Sequence, residues 1–295
     1  MQTIDLTTKL QPPIVIALGY FDSVHLGHRT LIDQLLDCAK KHNAKSVITT
    51  FLKQLDFTAV YTLAVYTLEE RLDILKSLNI DFVLKLPFTT EFKSQSPQEF
   101  LATLVSNLNI KAIVVGHDFK FGKDRLGDIN TLENFCTANN IELKIMPPYP
   151  NIKNRISTSE IKTLIIDGDF LNANKLLGSP FFITGKVVKG KGRGKTLGFP
   201  TANIEVSPYK IMPKDGVYKT QTTIDYVTYD SITHIGEKQT FVEDKDPSIE
   251  THIINFSGDL YDKTIKITFL NFIRTTKKFR SAQKLANQIQ LDLKS

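Results

Sequence analysis

A strand pattern followed at once by a helical pattern is the feature of this chain that most restricts its fold. Residues 14–18 (IVIAL) are continuously apolar, and apolar residues then recur at helical spacing, at Leu31, Leu35, Leu36 and Ala39. A continuous apolar run before a helix is typical of a strand buried on both faces of a parallel sheet. The chain therefore begins with a β-loop-α unit.

The same alternation continues to residue 146. Strand patterns fall at 46–51, 81–86, 112–115 and 142–146, and helical patterns fall at 68–78, 97–108 and 130–139. Thr67 and Ser96 precede two of these helices as N-caps. Strands that alternate with helices at this spacing predict an open parallel α/β sheet, in which ligands bind beyond the carboxyl ends of the strands.

After two further helical stretches, 157–166 and 169–177, the pattern changes to short strands without helices between them. β-rich stretches fall at 181–188, 217–223, 233–235, 252–256 and 265–273, and Gly, Pro, Asp and Asn separate them. They predict a small β-barrel, and an amphipathic helix over 281–293 closes the chain. We therefore expect two domains, 1–180 and 181–295, which agrees with the length of 295 residues.

Composition and the first residues restrict the class of protein. The start, MQTIDLTTKLQPP, lacks the basic and apolar stretches of a secretory signal, and no apolar run approaches the roughly 20 residues of a membrane span. We expect a cytoplasmic protein without membrane association. Cys38 and Cys136 are the only cysteines, so we expect reduced thiols, and neither a disulfide frame nor a cysteine metal site is indicated.

The net charge of +6 indicates an anionic partner, and its distribution favours a small one. Four positive charges lie in the segment 189–195 (KGKGRGK), and a second cluster lies at 274–280. Basic residues in a glycine-rich loop fit a small phosphate ligand at least as well as a nucleic acid. There is no Trp, and the aromatic residues do not alternate with basic ones as base stacking requires. We expect small-molecule substrates and no nucleic acid, and the sequence does not indicate the oligomeric state.

The first candidate site is the segment 19–28 (GYFDSVHLGH), which directly follows the first strand. His25 and His28 are three residues apart at the start of the predicted helix, so both imidazoles lie near one face and beside the helix N–H groups. Such groups can stabilise the charge that builds on an α-phosphate during adenylyl transfer without a covalent intermediate. Gly27 allows the backbone to approach a ligand closely. Taken alone, the H-x-G-H pattern is equally well explained by two histidines at a helix start that bind no ligand. The apolar strand directly before it favours a nucleotide-binding site.

The second candidate site is the segment 185–203 (GKVVKGKGRGKTLGFPTAN). Four glycines between 190 and 198 permit a mobile cover whose amides and basic groups surround phosphates. A solvated basic hairpin tip is the alternative. Thr201 and Asn203 lie on the same side of an extended segment and offer hard oxygen atoms, which Mg²⁺ accepts as ligands.

Three segments occur in the order seen in bacterial FAD synthetases: 19–28, 114–128 (VVGHDFKFGKDRLGD) and 156–170 (ISTSEIKTLIIDGDF). The N-terminal half resembles that family, so an FMN adenylyltransferase with an open parallel nucleotidyltransferase sheet is implied. The resemblance implies ATP-phosphate and catalytic roles for His25 and His28. It implies ligand-binding roles for Gly19, Phe21, Asp22, Gly27, Asp118, Phe119, Phe121, Ser157, Thr158 and Lys162, with Asp118, Phe119 and Phe121 at the flavin end. From the residues alone, N-capping explains Ser157 and Thr158 equally well, and core packing explains Phe119 and Phe121.

The segment 185–203 resembles riboflavin kinase, whose barrel forms the C-terminal half of the bifunctional bacterial enzymes. The resemblance implies that Thr201 and Asn203 bind the Mg²⁺-nucleotide and that Glu250 takes the proton from the ribityl 5′-hydroxyl of riboflavin. It implies ligand binding by Gly190, Lys191, Gly192, Arg193, Gly194, Lys195 and Arg274. The expected function is phosphorylation of riboflavin to FMN and adenylylation of FMN to FAD, with ATP and Mg²⁺ in both steps.

The chain departs from the family pattern at several positions. Ser23 stands where Gly is usual, Lys162 replaces an Arg and so removes a bidentate fork, and His234 stands where Asn is usual. The stretches 51–55 (FLKQL) and 239–241 (QTF) replace the usual Phe-Asp-Pro-His-Pro and Pro-Thr-Phe elements. A monofunctional FAD synthetase with a degraded kinase domain, and a catalytically weak flavin- or nucleotide-binding regulator, therefore stay open as alternatives.

Overall fold

The alternating patterns of the N-terminal half form one six-stranded, fully parallel sheet. The structure is a computed structural model and describes residues 1–51, 63–87, 89–149, 156–190, 194, 198–237 and 247–294. These residues divide into two compact units, Met1–Thr158 and Ser159–Ser295. No helix within these ranges is both long enough and apolar enough to cross a membrane.

The first unit is an α/β unit, as predicted. Its strands are β1 (Gln2–Ile4), β2 (Leu10–Ala17), β3 (Lys45–Phe51), β4 (Phe82–Leu86), β5 (Leu108–Gly116) and β6 (Glu142–Met146), in the spatial order β1-β4-β3-β2-β5-β6. Its helices are α1 (Leu26–Lys41), α2 (Leu68–Ser77), α3 (Thr90–Lys93), α4 (Pro97–Asn107) and α5 (Ile129–Ala138), with a short 3-10 turn at Lys123–Arg125. The predicted open parallel sheet is confirmed. The sequence did not predict β1, because a strand of three residues is too short to give a recognisable pattern.

Side chains of β2 alternate between two separate hydrophobic cores. Ile14 and Ile16 pack into one core, and Val15 and Ala17 pack into the other, all at 0% exposure. The sheet is therefore covered on both faces, which explains the continuous apolar run. Because all six strands are parallel, the loop after β2 lies at the carboxyl edge of the sheet, where α/β proteins bind ligands.

The second unit begins with two helices, and the closed antiparallel barrel and the final helix that follow are as predicted. The elements are α6 (Thr158–Ile166, whose first residue lies in the first unit), α7 (Phe170–Leu177), β7 (Phe182–Val188), β8 (Ala202–Glu205), β9 (Gly216–Ile224), β10 (Val227–Glu237), β11 (Pro247–Ile253), β12 (Thr264–Arg274) and the C-terminal helix (Ala282–Asp292). The order around the barrel is β10-β11-β8-β7-β12-β9. The strand expected at 252–256 instead ends at Ile253, and the chain turns at Asn255, whose φ is +56°.

A chain of buried hydroxyl groups ties three neighbouring barrel strands together. Thr220 on β9 hydrogen-bonds Ser231 (2.8 Å) and Thr233 (2.9 Å) on β10, and Thr233 hydrogen-bonds Thr251 (2.8 Å) on β11. Thr222 also donates to Ser231. Each hydroxyl is satisfied by another, so these polar side chains are buried without an unmet hydrogen bond and fix the strand register.

Candidate active sites

The loop after β2 is anchored to the neighbouring strand β3. The N–H of Gly19 donates to the Thr49 hydroxyl oxygen at 2.9 Å. A Cβ atom at Gly19 would lie 2.7 Å from the ring of Phe21, so this position requires glycine. The first candidate site therefore begins on a backbone that packing has already fixed.

Two apolar residues of this loop adopt the left-handed backbone conformation. Phe21 has φ +54° and Val24 has φ +43°, and each is 1% exposed. Such a conformation costs on the order of 1–3 kcal/mol and is a true outlier for a β-branched residue. Because such strain clusters at functional sites, the loop has the character expected of one. Phe21 itself is a core residue that packs against His28, with ring centroids 5.1 Å apart.

The two histidines of the H-x-G-H segment lie together, as their spacing predicts. Their rings stack with centroids 3.7 Å apart and planes 7° apart. His25 is the N-cap of α1, and its Nδ1 accepts the backbone N–H of His28 at 3.1 Å. The neutral His25 ring therefore carries its proton on Nε2. A Cβ at Gly27 would lie 3.2 Å from the His25 ring, so this glycine leaves room for the imidazole.

Asp22 and Ser23 connect this loop to distant parts of the first unit. Asp22 is 2% exposed, and its Oδ1 accepts the N–H of Val65 at 3.1 Å. The Ser23 hydroxyl lies 3.1 Å from that of Thr158, the first residue of α6. Ser157 directly precedes α6, and Lys162 lies within α6, in the second unit. The ligand-binding roles of Ser157 and Lys162 stay predictions.

Arg71 is a site residue that the sequence did not indicate. It is 1% exposed in α2, and its Nη1 donates to the Tyr20 carbonyl (3.3 Å) and to the Thr50 hydroxyl (3.0 Å). Its guanidinium carbon lies 4.8 Å from the Tyr20 ring centre. Burial and, to a smaller extent, the nearby Asp22 charge raise the pKa of Tyr20. The charged run Glu69, Glu70, Arg71 gave no signal because such runs usually face solvent.

The segment predicted for the flavin end is partly core. Phe121 is 7% exposed, pairs its backbone with Gly127 and packs against Phe100, with centroids 5.8 Å apart. Phe119 stacks on Phe121 at 5.4 Å and remains half-buried, as does Asp118. Core packing therefore accounts for Phe121, whereas Phe119 and Asp118 keep some exposed surface.

On the barrel, three polar residues form a row across three strands. Asn203 on β8 is in register with Glu250 on β11, and Glu250 is in register with His234 on β10. Residues directly opposite one another in antiparallel strands share a face, with Cβ atoms about 4.5–5.5 Å apart. Asn203, Glu250 and His234 are therefore immediate neighbours on one face of the barrel.

Two glycines lie directly against the predicted Mg²⁺ ligands. A Cβ at Gly190 would lie 2.0 Å from the Asn203 side-chain nitrogen. A Cβ at Gly194 would lie 2.4 Å from the Phe199 carbonyl oxygen and 3.2 Å from the Thr201 hydroxyl oxygen. The glycine-rich segment therefore begins in close contact with this site. The remaining predicted residues of the segment, Lys191, Gly192, Arg193 and Lys195, lie outside the described residues, as do Gln239 and most of 51–55.

Arg274 makes a bidentate ion pair with the C-terminal helix. Its Nε donates to Asp292 Oδ1 at 2.9 Å and its Nη2 to Oδ2 at 2.8 Å, and the two side chains are 14% and 3% exposed. Its Nη1 donates to the Thr275 carbonyl. These bonds give Arg274 a structural role, and its predicted ligand-binding role stays a prediction.

Away from both sites, Cys38, His42 and Glu142 place their potential ligand atoms within 4.8 Å of one another. Hydrogen bonds from Lys41, Lys144 and His42 lower the pKa of Glu142 to about 2. Because three cationic or hydrogen-donating groups already surround this carboxylate, we interpret the group as an ion-pair cluster that ties α1 to β6.

Comparison with known proteins assigns a family to each half. A family model described as FAD synthetase matches residues 7–160, and one described as riboflavin kinase matches residues 177–295. A Listeria monocytogenes protein named bifunctional riboflavin kinase/FMN adenylyltransferase is 32% identical over 285 residues, which cover 94% of this chain and 90% of that protein. A Bacillus subtilis protein of the same name is 32% identical over 304 residues, which cover 99% and 96%.

A solved structure shares the fold over almost the whole chain. It is a Streptococcus pneumoniae protein with 32% identity and a TM-score of 0.89, and the match covers 99% of this chain and 97% of that one. That protein is named a macrolide-efflux protein. Because both family models match and the curated relatives align over nearly their full length, the chain belongs to the family of bifunctional riboflavin kinase/FMN adenylyltransferases.

Proposed function

We propose that the chain makes FAD from riboflavin in two ATP-dependent steps. In the barrel, the 5′-hydroxyl of riboflavin attacks the γ-phosphate of ATP and gives FMN and ADP. In the first unit, a phosphate oxygen of FMN attacks the α-phosphate of a second ATP and gives FAD and pyrophosphate. The observation that carries the proposal is that the two family models match successive stretches without overlap, and each stretch contains its own candidate phosphate site.

In the adenylyl step, the residues of the loop after β2 stabilise charge. The proton-bearing Nε2 of His25 donates to oxygens of the α-phosphate as negative charge builds there, and the stacked His28 ring lies beside it. The first-turn N–H groups of α1 add the positive end of the helix dipole. The bond from the α-phosphorus to pyrophosphate breaks as the new P–O bond forms, so no covalent intermediate on the protein is needed.

The other predicted residues of this site divide by burial. Gly19, Phe21 and Asp22 are proposed to shape the loop, because Phe21 and Asp22 are almost fully buried. Asp118 and Phe119 are proposed to contact the flavin, and Ser157, Thr158 and Lys162 to contact the nucleotide. Arg71 is proposed as a further support of the loop through the Tyr20 carbonyl.

In the kinase step, Glu250 accepts the proton of the riboflavin 5′-hydroxyl as that oxygen attacks. Thr201 and Asn203 would hold Mg²⁺, since both supply hard oxygen donors and Gly190 leaves space against Asn203 that a side chain would fill. A bound Mg²⁺ would neutralise charge on the transferred phosphoryl group. The backbone of Gly190 and Gly194 would cover the phosphates.

The decisive experiment is product analysis with separate substrates. Riboflavin with Mg²⁺-ATP should give FMN and then FAD, and supplied FMN should give FAD. His25→Asn should slow FAD formation by about 10²- to 10³-fold and leave FMN formation intact. Gly190→Ala, which displaces the Asn203 amide, should reduce FMN formation from riboflavin and leave FAD formation from supplied FMN intact. Gly258→Ala is the matched control, because its nearest neighbour is the Phe256 ring at 3.1 Å.

The same assay separates the alternatives. A monofunctional FAD synthetase would convert FMN to FAD and form no FMN from riboflavin. A binding protein without turnover would bind flavin and form neither product. The cytoplasmic location and the functional limits 1–180 and 181–295 are part of this proposal and rest on the sequence.

A further inference from the structure

His234 is the unexpected member of the polar row on the barrel, because the family resemblance leads one to expect Asn at this position. The register of β10 and β11 places it directly opposite Glu250. Glu250 is in turn opposite Asn203, so His234 and Asn203 flank it from the two sides. An imidazole at this position therefore lies beside the carboxylate for which we propose the proton-accepting role.

Contacts on two sides hold the His234 ring. Its Nε2 lies 3.1 Å from the Thr276 hydroxyl oxygen. Gly236 is two residues later and shares the same face of β10, and a Cβ there would lie 2.8 Å from His234 Cε1. The His234 ring thus lies along β10, in space that Gly236 leaves open. Its Nε2 is hydrogen-bonded to Thr276 in the segment after β12.

Two residues on the inner face of the barrel hold β10 and β11 together next to His234 and Glu250. Thr233 and Thr251, each next to a member of the pair in sequence, are in register with one another and hydrogen-bond at 2.8 Å on the inner face. Both are 0% exposed. A shift of β10 against β11 would break this buried bond, so the spacing between His234 and Glu250 is fixed by the fold.

Burial lowers the pKa of His234, and the nearby charges act in both directions. Glu250 from β11 raises it, Arg274 from the end of β12 lowers it, and Asp215 just before β9 raises it. The net shift of the His234 pKa is downward from its ordinary value of 6.5, which favours the neutral ring.

We propose that His234 is a positioning residue that holds the Glu250 carboxylate in place for the kinase step, and that it does so only as a neutral ring. The inference rests on the proposed function of Glu250. A neutral imidazole tied to Thr276 restricts the carboxylate without neutralising it. A protonated imidazole is a cation opposite the carboxylate and would draw it away from the substrate hydroxyl. Mildly acid pH should therefore slow FMN formation through His234.

The first test measures the coupling without any turnover. Side-chain NMR of the full chain follows the titration of each His ring in the wild type and in Glu250→Gln. Removal of the Glu250 charge should lower the titration midpoint of His234. An unchanged His234 midpoint would overturn the inference.

The second test measures FMN formation between about pH 5.5 and 9. His234→Ala should lower kcat by roughly 10-fold or more, leave the KM for riboflavin within about twofold, and remove the acid-side fall that His234 causes in the wild type. His234→Gln, whose amide can reach Thr276, should recover part of kcat but not the acid-side fall. His42→Asn is the matched control and should keep the wild-type profile.

The outcomes separate the inference from the function on which it rests. Equal kcat and an unchanged pH profile in His234→Ala would overturn the positioning role, provided that its urea unfolding midpoint shows a folded protein. If the wild type forms no FMN at any pH, the proposed function fails, and the NMR coupling still decides whether His234 and Glu250 act as a pair.

Discussion

The hydroxyl oxygen of Ser23 lies 3.1 Å from that of Thr158, although the two residues are 135 positions apart. Ser23 is 1% exposed and belongs to the strained loop after β2, and Thr158 is the first residue of α6. The Gly that the family resemblance leads one to expect at position 23 has no hydroxyl and would not make this bond. The departure from the family pattern at position 23 therefore adds a side-chain hydrogen bond. This bond joins the loop after β2 to Thr158, a residue proposed to contact the nucleotide.

Substitution of Ser23 should affect only adenylyl transfer. A neutral hydrogen bond contributes about 0.5–1.5 kcal/mol, so Ser23→Ala should raise the KM for ATP in FAD formation by about 2- to 10-fold. FMN formation from riboflavin should keep its wild-type rate. Thr30→Ala is the matched control, because that hydroxyl donates to the Leu26 carbonyl within α1. An equal fall in both activities would show that Ser23 acts on folding and not on the nucleotide.

His25 has two functions that one substitution can separate. Asn is as good an N-cap as any residue, so His25→Asn should keep the bond to the His28 N–H and the stability of the first unit. It removes the proton-bearing Nε2, and the kcat of FAD formation should fall by about 10²- to 10³-fold. His25→Ala should show the same loss of activity and an added loss of stability of about 1 kcal/mol.

Steady-state assays and thermal unfolding of both His25 variants check this prediction. His42→Asn at the other end of α1 serves as the control and should keep full activity. Full FAD formation by His25→Asn would contradict the phosphate role and leave N-capping as the explanation for this histidine.

The ion pair between Arg274 and Asp292 should stabilise the C-terminal helix. Removal of one partner leaves an uncompensated buried charge, which costs about 3–5 kcal/mol. Asp292→Asn should therefore speed hydrogen exchange throughout Ala282–Asp292, measured by mass spectrometry. The double variant Arg274→Met/Asp292→Leu should restore much of the protection, because an apolar pair of similar volume often replaces a buried ion pair without loss.

The double variant also tests the ligand-binding role predicted for Arg274. If the structural role is the whole of its function, the stabilised double variant should phosphorylate riboflavin at close to the wild-type rate. A protected helix combined with lost FMN formation would instead show that the guanidinium contacts a substrate.

Sequence patterns were sufficient where one residue type has one physical explanation. The continuous apolar run at 14–18 predicted a strand buried on both faces, and Ile14 and Val15 indeed face separate cores. The caps Thr67 and Ser96 both form capping boxes, with Glu70 and Glu99. Local chemistry determines such features, so a single sequence can predict them.

Patterns failed where the role of a residue depends on a distant partner. Arg71 reads as a surface charge until the fold brings the Tyr20 carbonyl to it, and no pattern in the sequence indicates that Arg274 forms an ion pair with Asp292. The row of Asn203, Glu250 and His234 depends on the register of three strands, which the separate segments do not reveal. The pattern predicts a strand that reaches residue 256, but the strand ends at Ile253 because the chain turns at Asn255.

The buried hydroxyl pair of Thr233 and Thr251 should show strong coupling. Thr233→Val leaves the Thr251 and Thr220 hydroxyls each short of one partner, so it should cost about 1–3 kcal/mol. In Thr233→Val/Thr251→Val two methyl groups meet instead, and the total cost should be smaller than the sum of the single costs by about 0.5–3 kcal/mol. Hydrogen exchange of the strands Val227–Glu237 and Pro247–Ile253 gives these free energies locally.

The neighbouring strand pair, β9 and β10, supplies the control for this cycle. Thr223 and Thr228 make the same kind of cross-strand hydroxyl contact, at 3.0 Å, but on the exposed face. Water replaces a lost partner there, so Thr228→Val should change stability by less than about 0.5 kcal/mol. If the buried and exposed substitutions cost the same, or if the two buried ones are additive, the hydroxyl chain does not fix the register of β10 against β11. The spacing between His234 and Glu250 would then need another cause.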